Sequence, residues 1–252
     1  MEKGKSVDLI EDDLEARTWE YPPAPASGQG GLIRAQTHYQ RVRDALRRDI
    51  IAGHFSGNER LIVANLCERY GISAPPIREA LSQLQVEGLV VLEANRGARV
   101  RPVTRAFVAE IFEIRIALEP YMVERSVPLL TDQRIEALKA IQVEFANAIR
   151  TQDHFGVLRG NGRFHRCIYN ARANQEAMRL LDQHSAVIAT MRNRFGYRKA
   201  RFETIIAEHE MLIAACAERD TATATAIARR HIEHSVDDLL GLMQDAGIAH
   251  AA

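Results

Sequence analysis

The sequence predicts a mainly α protein: an N-terminal winged helix-turn-helix with a small two-stranded wing, then an all-α antiparallel bundle of six helices. Three observations carry this. Residues Leu61 to Arg101 read in order as helix, turn, helix and two short strands. From Thr104 to about Ala246 short breaks divide the chain into amphipathic helical segments, and no alternating stretch is long enough for a sheet. The 252 residues give room for one large domain or two modest ones.

Residues 1–31 hold seven acids, three bases and a Pro/Gly-rich stretch at 21–31. Such a segment cannot bury enough surface to order itself, so a flexible arm is expected. An inert tail is the plainer reading; competition with DNA for a basic domain is the other. Residues 32–101 form the expected DNA-binding domain. It opens with a helix over Thr37–Ala52 that turns Tyr39, Val42, Leu46 and Ile50 inward and ends at Gly53.

The next helix covers Val63–Tyr70, and Gly71 supplies the left-handed residue that a helix C-cap needs. Ser73 is a suitable N-cap, with Pro76 in the first turn. The second helix gathers Ile77, Ala80, Leu81 and Leu84 on one face and leaves Arg78, Ser82 and Gln85 outward. Leu89–Leu92 and Ala98–Val100 are strands around a turn at Asn95-Arg96-Gly97. A helical subdomain without nucleic acid fits this pattern too, but charge favours DNA. Between Ile33 and Arg105 stand twelve Arg and no Lys against seven acids, in a chain of net charge zero. Arg96 and Gly97 at the wing tip are placed for a groove or phosphate contact.

The run Gly71-Ile72-Ser73-Ala74-Pro75-Pro76-Ile77-Arg78-Glu79-Ala80-Leu81, followed by Leu84, Glu87-Gly88-Leu89-Val90 and Arg96-Gly97-x-x-Val100, resembles the winged-helix signature of GntR-family bacterial transcription regulators. The resemblance implies that Ser73, Ala74, Pro75, Arg78, Arg96 and Gly97 face DNA. Two departures matter. Ala74 and Pro75 stand where the family usually has an arginine and a small hydroxyl residue, and Ala64 where some members carry a DNA-contacting arginine. The operator sequence therefore does not carry over from relatives.

Residues 102–105 are the expected linker, with Pro102 ending the wing and Thr104 capping the next helix. The helical domain, 106–246, holds segments at about 105–127, 132–150, 153–171, 174–196, 198–218 and 221–244, before a tail at 247–252. Asn161 and His165 are four apart and share a helix face. His209 lies in the fifth helix and His231 in the sixth. Three imidazoles and an amide oxygen from three helices could surround a Zn²⁺-class ion, whereas each histidine taken alone reads as a hydrogen-bonded core residue.

Asn161-x-x-Phe164-His165, Asn174, Glu208-His209-x-x-Leu212 and Ala226 ahead of His231-Ile232 resemble the FCD-type ligand-binding domain of the FadR-like branch. Glu113-x-Arg115-x-x-x-Glu119 fits as well, and six helices rather than seven point to the VanR-like subgroup. The resemblance implies a divalent metal held by Asn161, His165, His209 and His231. Zn²⁺ is the first choice, with Ni²⁺ or Mn²⁺ as alternatives. Many relatives have aspartate where Asn161 stands, which leaves this site one charge more positive. The family's effectors are often small organic or sugar acids. Arg115 is the candidate clamp for such a carboxylate, or else it simply pairs with Glu119 at i+4; Arg192 is a second candidate. His154, His184, His234 and His250 are expected to be structural or exposed.

The expected function is a metabolite-responsive repressor. It acts as a homodimer on a palindromic operator of double-stranded DNA and is released by a small carboxylate. No apolar run approaches a membrane span, and Cys67, Cys167 and Cys216 lack metal or disulfide spacing, so a cytoplasmic protein is expected. The rival is a metal-dependent hydrolase using the His-rich site. It lacks HExxH, G-x-S-x-G and a phosphate-binding loop, Glu208 faces away from His209, and it leaves the basic winged helix unexplained.

Overall fold

The computed structural model describes residues 38–93, 97–172 and 174–248. The N-terminal arm, the Tyr39 side chain, Arg96 at the wing tip and His250 lie outside the described residues. Helix α1 spans His38–Ile51 and buries Val42, Leu46 and Ile50. After it come β1 (Arg60–Leu61), α2 (Val63–Tyr70), α3 (Ala74–Val86), β2 (Val90–Glu93) and β3 (Gly97–Val100). Gly71 takes φ 64° and its N–H reaches Cys67 O, closing α2 as expected. Ser73 has the extended backbone of an N-cap, but its side chain makes no capping bond. The second and third residues of α3 are Pro75 and Pro76, and neither has an N–H to offer. The Ser73 hydroxyl is exposed instead.

The wing is three-stranded rather than two-stranded. β3 pairs antiparallel with β2, Val90 opposite Val100 and Glu93 opposite Gly97. Its other edge pairs with β1, Leu61 opposite Ala98. Leu61 is 1% exposed, so its backbone enters the core and takes up the free edge. A two-residue strand is too short to show an alternating period, which is why it escaped the sequence reading.

Six helices then build the second domain: α4 (Arg105–Ser126), α5 (Asp132–Arg150), α6 (His154–Tyr169), α7 (Gln175–Phe195), α8 (Lys199–Ala217) and α9 (Thr221–Asp245). Side chains of Thr104, Thr131, Asp153, Asn174 and Asp220 accept a backbone N–H in the first turn of five of them, which sets where each begins. α4 lies along α9, and α5 lies along α6 and α8, around a core that includes Met122, Leu138, Phe164, Ile168 and Leu212. No helix among the described residues is long and apolar enough to cross a membrane.

The first domain rests on α7. Ala186 belongs to the core of the DNA-binding domain, Ala189 packs with Ile51, and Asn193 Nδ2 donates to Ile51 O at 3.0 Å.

Ile77 on α3 is fully buried. Ile77→Ala should cost about 2–5 kcal/mol, read as a lowered urea midpoint of the N-terminal domain by a probe placed there. A midpoint equal to wild type would show that α3 is not anchored by this face.

Candidate metal centre and adjoining cavity

Three helices bring His165 (α6), His209 (α8) and His231 (α9) together, with ligand atoms all within 4.8 Å of one another. Packing fixes the rings. Phe164 stacks on His209 at 3.9 Å between centroids, and Phe145 packs tilted against it at 5.2 Å. Gly160 lets α6 come close to α5, since a Cβ there would stand 3.2 Å from the Phe145 ring.

Each ring uses its Nδ1 outward. His231 Nδ1 donates to Glu208 Oε2 at 2.7 Å. His209 Nδ1 donates to Gln142 Oε1 at 2.9 Å, an amide oriented by its own bond to Ile206 O. His165 Nδ1 lies 3.4 Å from the Tyr169 hydroxyl, which gives its single proton to Glu119 and so accepts from the imidazole. These tautomers are assigned from the partners. They leave three Nε2 lone pairs facing inward. His209 Nε2 is buried with no partner, and His165 Nε2 stands 3.2 Å from His231 Nε2.

Two acceptors at that distance repel unless a cation or proton lies between them. Nitrogens bound to one Zn²⁺-class ion sit about 3.0–3.4 Å apart, so the residues present fit such an ion.

Electrostatics agree. Burial pushes all three imidazoles below their ordinary value, and charges nearby, His231 and Arg201 among them for His165 and His209, push the same way. Neutral imidazole is the form that ligates a metal. Behind His231, burial alone would raise the Glu208 carboxyl. Hydrogen bonds from His231, Arg201 and His234 hold it down at about 2. Glu208 also accepts from Arg201 Nη1 at 2.8 Å, while Arg201 Nη2 holds His231 O at 3.0 Å.

A cavity of about 190 Å³ adjoins His165 and is lined by Arg115, Asn161, Tyr169, Asp182 and Ser185 among others. Asn161 thus lies on its wall, one turn before His165. Arg115 makes the i+4 pair, Nη2 to Glu119 at 2.6 Å, and its side chain also lines the cavity, where Nη1 reaches Ser185 Oγ at 3.1 Å. Arg192 is not brought to the site. Its side chain is 1% exposed, paired with Asp238 and bonded to Ser235 O at 2.8 Å, at the far end of α7. His234, expected to be structural or exposed, holds Glu208 through Nδ1.

Sequence reasoning also missed the supporting residues Gln142, Tyr169 and the outward role of Glu208. Tyr169 follows His165 by four and could have been found. Gln142 leaves no sequence signal.

On the first domain, Ser73, Pro75, Arg78 and Gly97 are exposed and Ala74 is half-buried. Arg78 has no ion-pair partner among the described residues, whereas Arg99 turns to Glu93 at 2.8 Å.

Comparison with known proteins gives matches over both domains. Residues 38–100 match the bacterial regulatory proteins of the gntR family, and residues 110–234 match the FCD domain. The HTH-type transcriptional regulator YdhC of Bacillus subtilis is 27% identical over 85% of this chain and 96% of its own length. The gluconate operon transcriptional repressor of Bacillus licheniformis is 26% identical over 85% and 88%. Among solved structures, Escherichia coli McbR/YncC superposes with a TM-score of 0.69 at 22% identity, covering 82% of this chain and 98% of that one.

Burial lowers the three clustered imidazoles and, with Arg115, lowers His184 to about 4. An unfolded histidine titrates near 6.5, so below that pH the unfolded chain binds more protons than the folded one. Chelator-treated protein should lose stability as pH falls from 7 to 5, by up to about 1.4 kcal/mol per pH unit for each ring. Urea unfolding across that range checks it; flat stability would mean the rings are protonated in the fold.

Proposed function

This chain belongs to the gntR family of bacterial regulatory proteins, in the FadR-like branch that carries an FCD domain, and on that footing we propose that it is a repressor released from its operator by a small carboxylate bound at a metal site. The family is one of DNA-binding transcription regulators, not of enzymes. The winged helix binds DNA; α3 is the helix for the major groove, with Arg78 reading or anchoring and Ser73, Ala74 and Pro75 at its leading end. The wing at Gly97 would lie against the adjacent backbone, with Arg96, its neighbour in the sequence, as the proposed contact. A homodimer acting in the cytoplasm would present two such helices to a palindromic operator.

One observation carries the ligand half of this reading: three Nε2 atoms converge beside a cavity that also holds Arg115 and Asn161. A bound Zn²⁺, with Ni²⁺ or Mn²⁺ as alternatives, would supply a Lewis-acidic attachment for one carboxylate oxygen. His165, His209, His231 and the neutral carbonyl of Asn161 would hold it without cancelling its charge. The Arg115 charge is already met by Glu119. An incoming acid therefore supplies the missing negative charge, and Arg115 orients its far end. A volume of about 190 Å³ suits a small organic or sugar acid. The relative named for a gluconate operon supports that class and the repressor sign.

The hydrolase reading finds no support here, because Glu208, the carboxylate beside His209, is occupied by His231, His234 and Arg201.

A thermal-shift panel of small carboxylates and sugar acids on Zn²⁺-loaded protein, on chelated protein and on His165→Ala tests the site. One acid at about a hundred times its Kd should add about 2.7 kcal/mol to the loaded wild type alone. A hit that ignores both metal and His165 sinks the metal-site reading. For the DNA half, Arg78→Ala should weaken operator binding by about 1–3 kcal/mol in a titration at fixed salt. Unchanged affinity would remove Arg78 from the interface.

A further inference from the structure

Helix α7 has two working faces. Toward the cavity it presents Leu181, Asp182, Ser185 and Ile188. Two arginines from other helices hold this face. Arg166 on α6 pairs with Asp182, and Arg115 on α4 bonds Ser185 Oγ at 3.1 Å and Leu181 O at 3.4 Å. The opposite face carries the DNA-binding domain. Gln183 Nε2 donates to Val86 O at the end of α3, Val187 packs where Gly88 leaves room, and Asn193 holds Ile51 O. Near its C-terminal end α7 is pinned to α9 by the buried Arg192–Asp238 pair.

These placements make α7 a lever. Its far end is fixed, its middle is tethered by two cationic side chains, and those cations are what an entering acid would seek.

We propose that α7 carries occupancy of the cavity to the DNA-binding domain: a bound acid draws Arg166 from Asp182 and Arg115 from Ser185, and the loosened helix pivots about Arg192–Asp238 and shifts the end of α3. The proposal rests on the reading that this cavity takes a small carboxylate, and it adds the route by which that ligand acts. Exchange of one carboxylate for another costs little, because each arginine keeps an anionic or polar partner throughout. The lever also sets a gradient. Gln183 adjoins Asp182 and lies nine residues from the Arg192 pin, whereas Asn193 is next to it, so the displacement is larger at Val86–Leu89 than at Ile51–His54. Ligand affinity then differs between two placements of the DNA-binding domain, which is the thermodynamic requirement for a switch.

The test cuts the tethers without any ligand. Asp182→Asn weakens the Arg166 pair at a half-exposed position, and Ser185→Ala removes the shorter of the two Arg115 contacts, leaving the one to Leu181 O. Each is followed by amide hydrogen exchange on the full chain, with Glu136→Gln as the control that cuts an exposed pair on α5. Both tether variants should exchange about fivefold or more faster at Gly88 and Leu89, with a smaller rise at Gly53 and His54 and none in α5. The control should match wild type. Using both variants guards against one that fails to fold.

Exchange that stays unchanged at Gly88 and Leu89, or that rises equally in every helix, overturns the lever. Because no acid is present, failure of the carboxylate reading shows only in the thermal-shift panel, and the two failures are separable.

Discussion

The structure of the second domain turns on three buried imidazoles whose outward nitrogens are already taken. Glu208, Gln142 and Tyr169 each hold one Nδ1, which fixes the tautomers and forces three lone pairs toward one point. Buried acceptors that face one another without a proton or cation are costly. The fold bears that cost by over-determining the rings: Phe164 stacks on His209 with Phe145 tilted against it, and Arg201 ties Glu208 to the backbone of His231. Three inward lone pairs, with His209 Nε2 buried and unpartnered, are an arrangement that a bound cation would satisfy.

The same logic explains how charge is distributed around the cavity. Arg115 and Arg166 are both paired, with Glu119 and Asp182, so the pocket is not a bare cationic hole. It is a set of ion pairs that a competing carboxylate can re-partner. The DNA-facing surface follows the opposite rule. Arg78 stands exposed with no ion-pair partner among the described residues, which suits a group whose counter-charge comes from phosphate or a guanine edge.

Much of this was legible in the sequence because local chemistry dictates it. Thr104, Thr131, Asp153, Asn174 and Asp220 announce their helices, and the i, i+3, i+4, i+7 spacing of Ile77, Ala80, Leu81 and Leu84 identifies the buried face of α3. Gly71 could be placed from its position alone. What escaped depends on contacts distant in the chain. β1 is two residues long and exists only because β3 has a free edge. Gln142 meets His209 across 67 positions. Arg192 looked like a ligand clamp because an arginine in a helical bundle offers the same side chain whether its partner is an acid from outside or Asp238 from within. Ser73 shows the reverse error: its residue type promised a capping bond for which Pro75 and Pro76 have no N–H to donate.

The proposed switch draws on a division of labour among the helices. α6, α8 and α9 supply the imidazoles, and their spacing is fixed by aromatic packing and by the Glu208–Arg201 network. α4 supplies Arg115, while α7 closes the cavity and supports the DNA-binding domain. A ligand anchored on the imidazole side and reaching toward Arg115 therefore spans a rigid half and a tethered half. Anchoring on the rigid half sets affinity. Only the contacts that differ between positions of the tethered half can transmit a signal, since a ligand bound equally well in both shifts nothing. A metal on the three imidazoles alone touches just the rigid half, so by this argument it prepares the site without operating the switch.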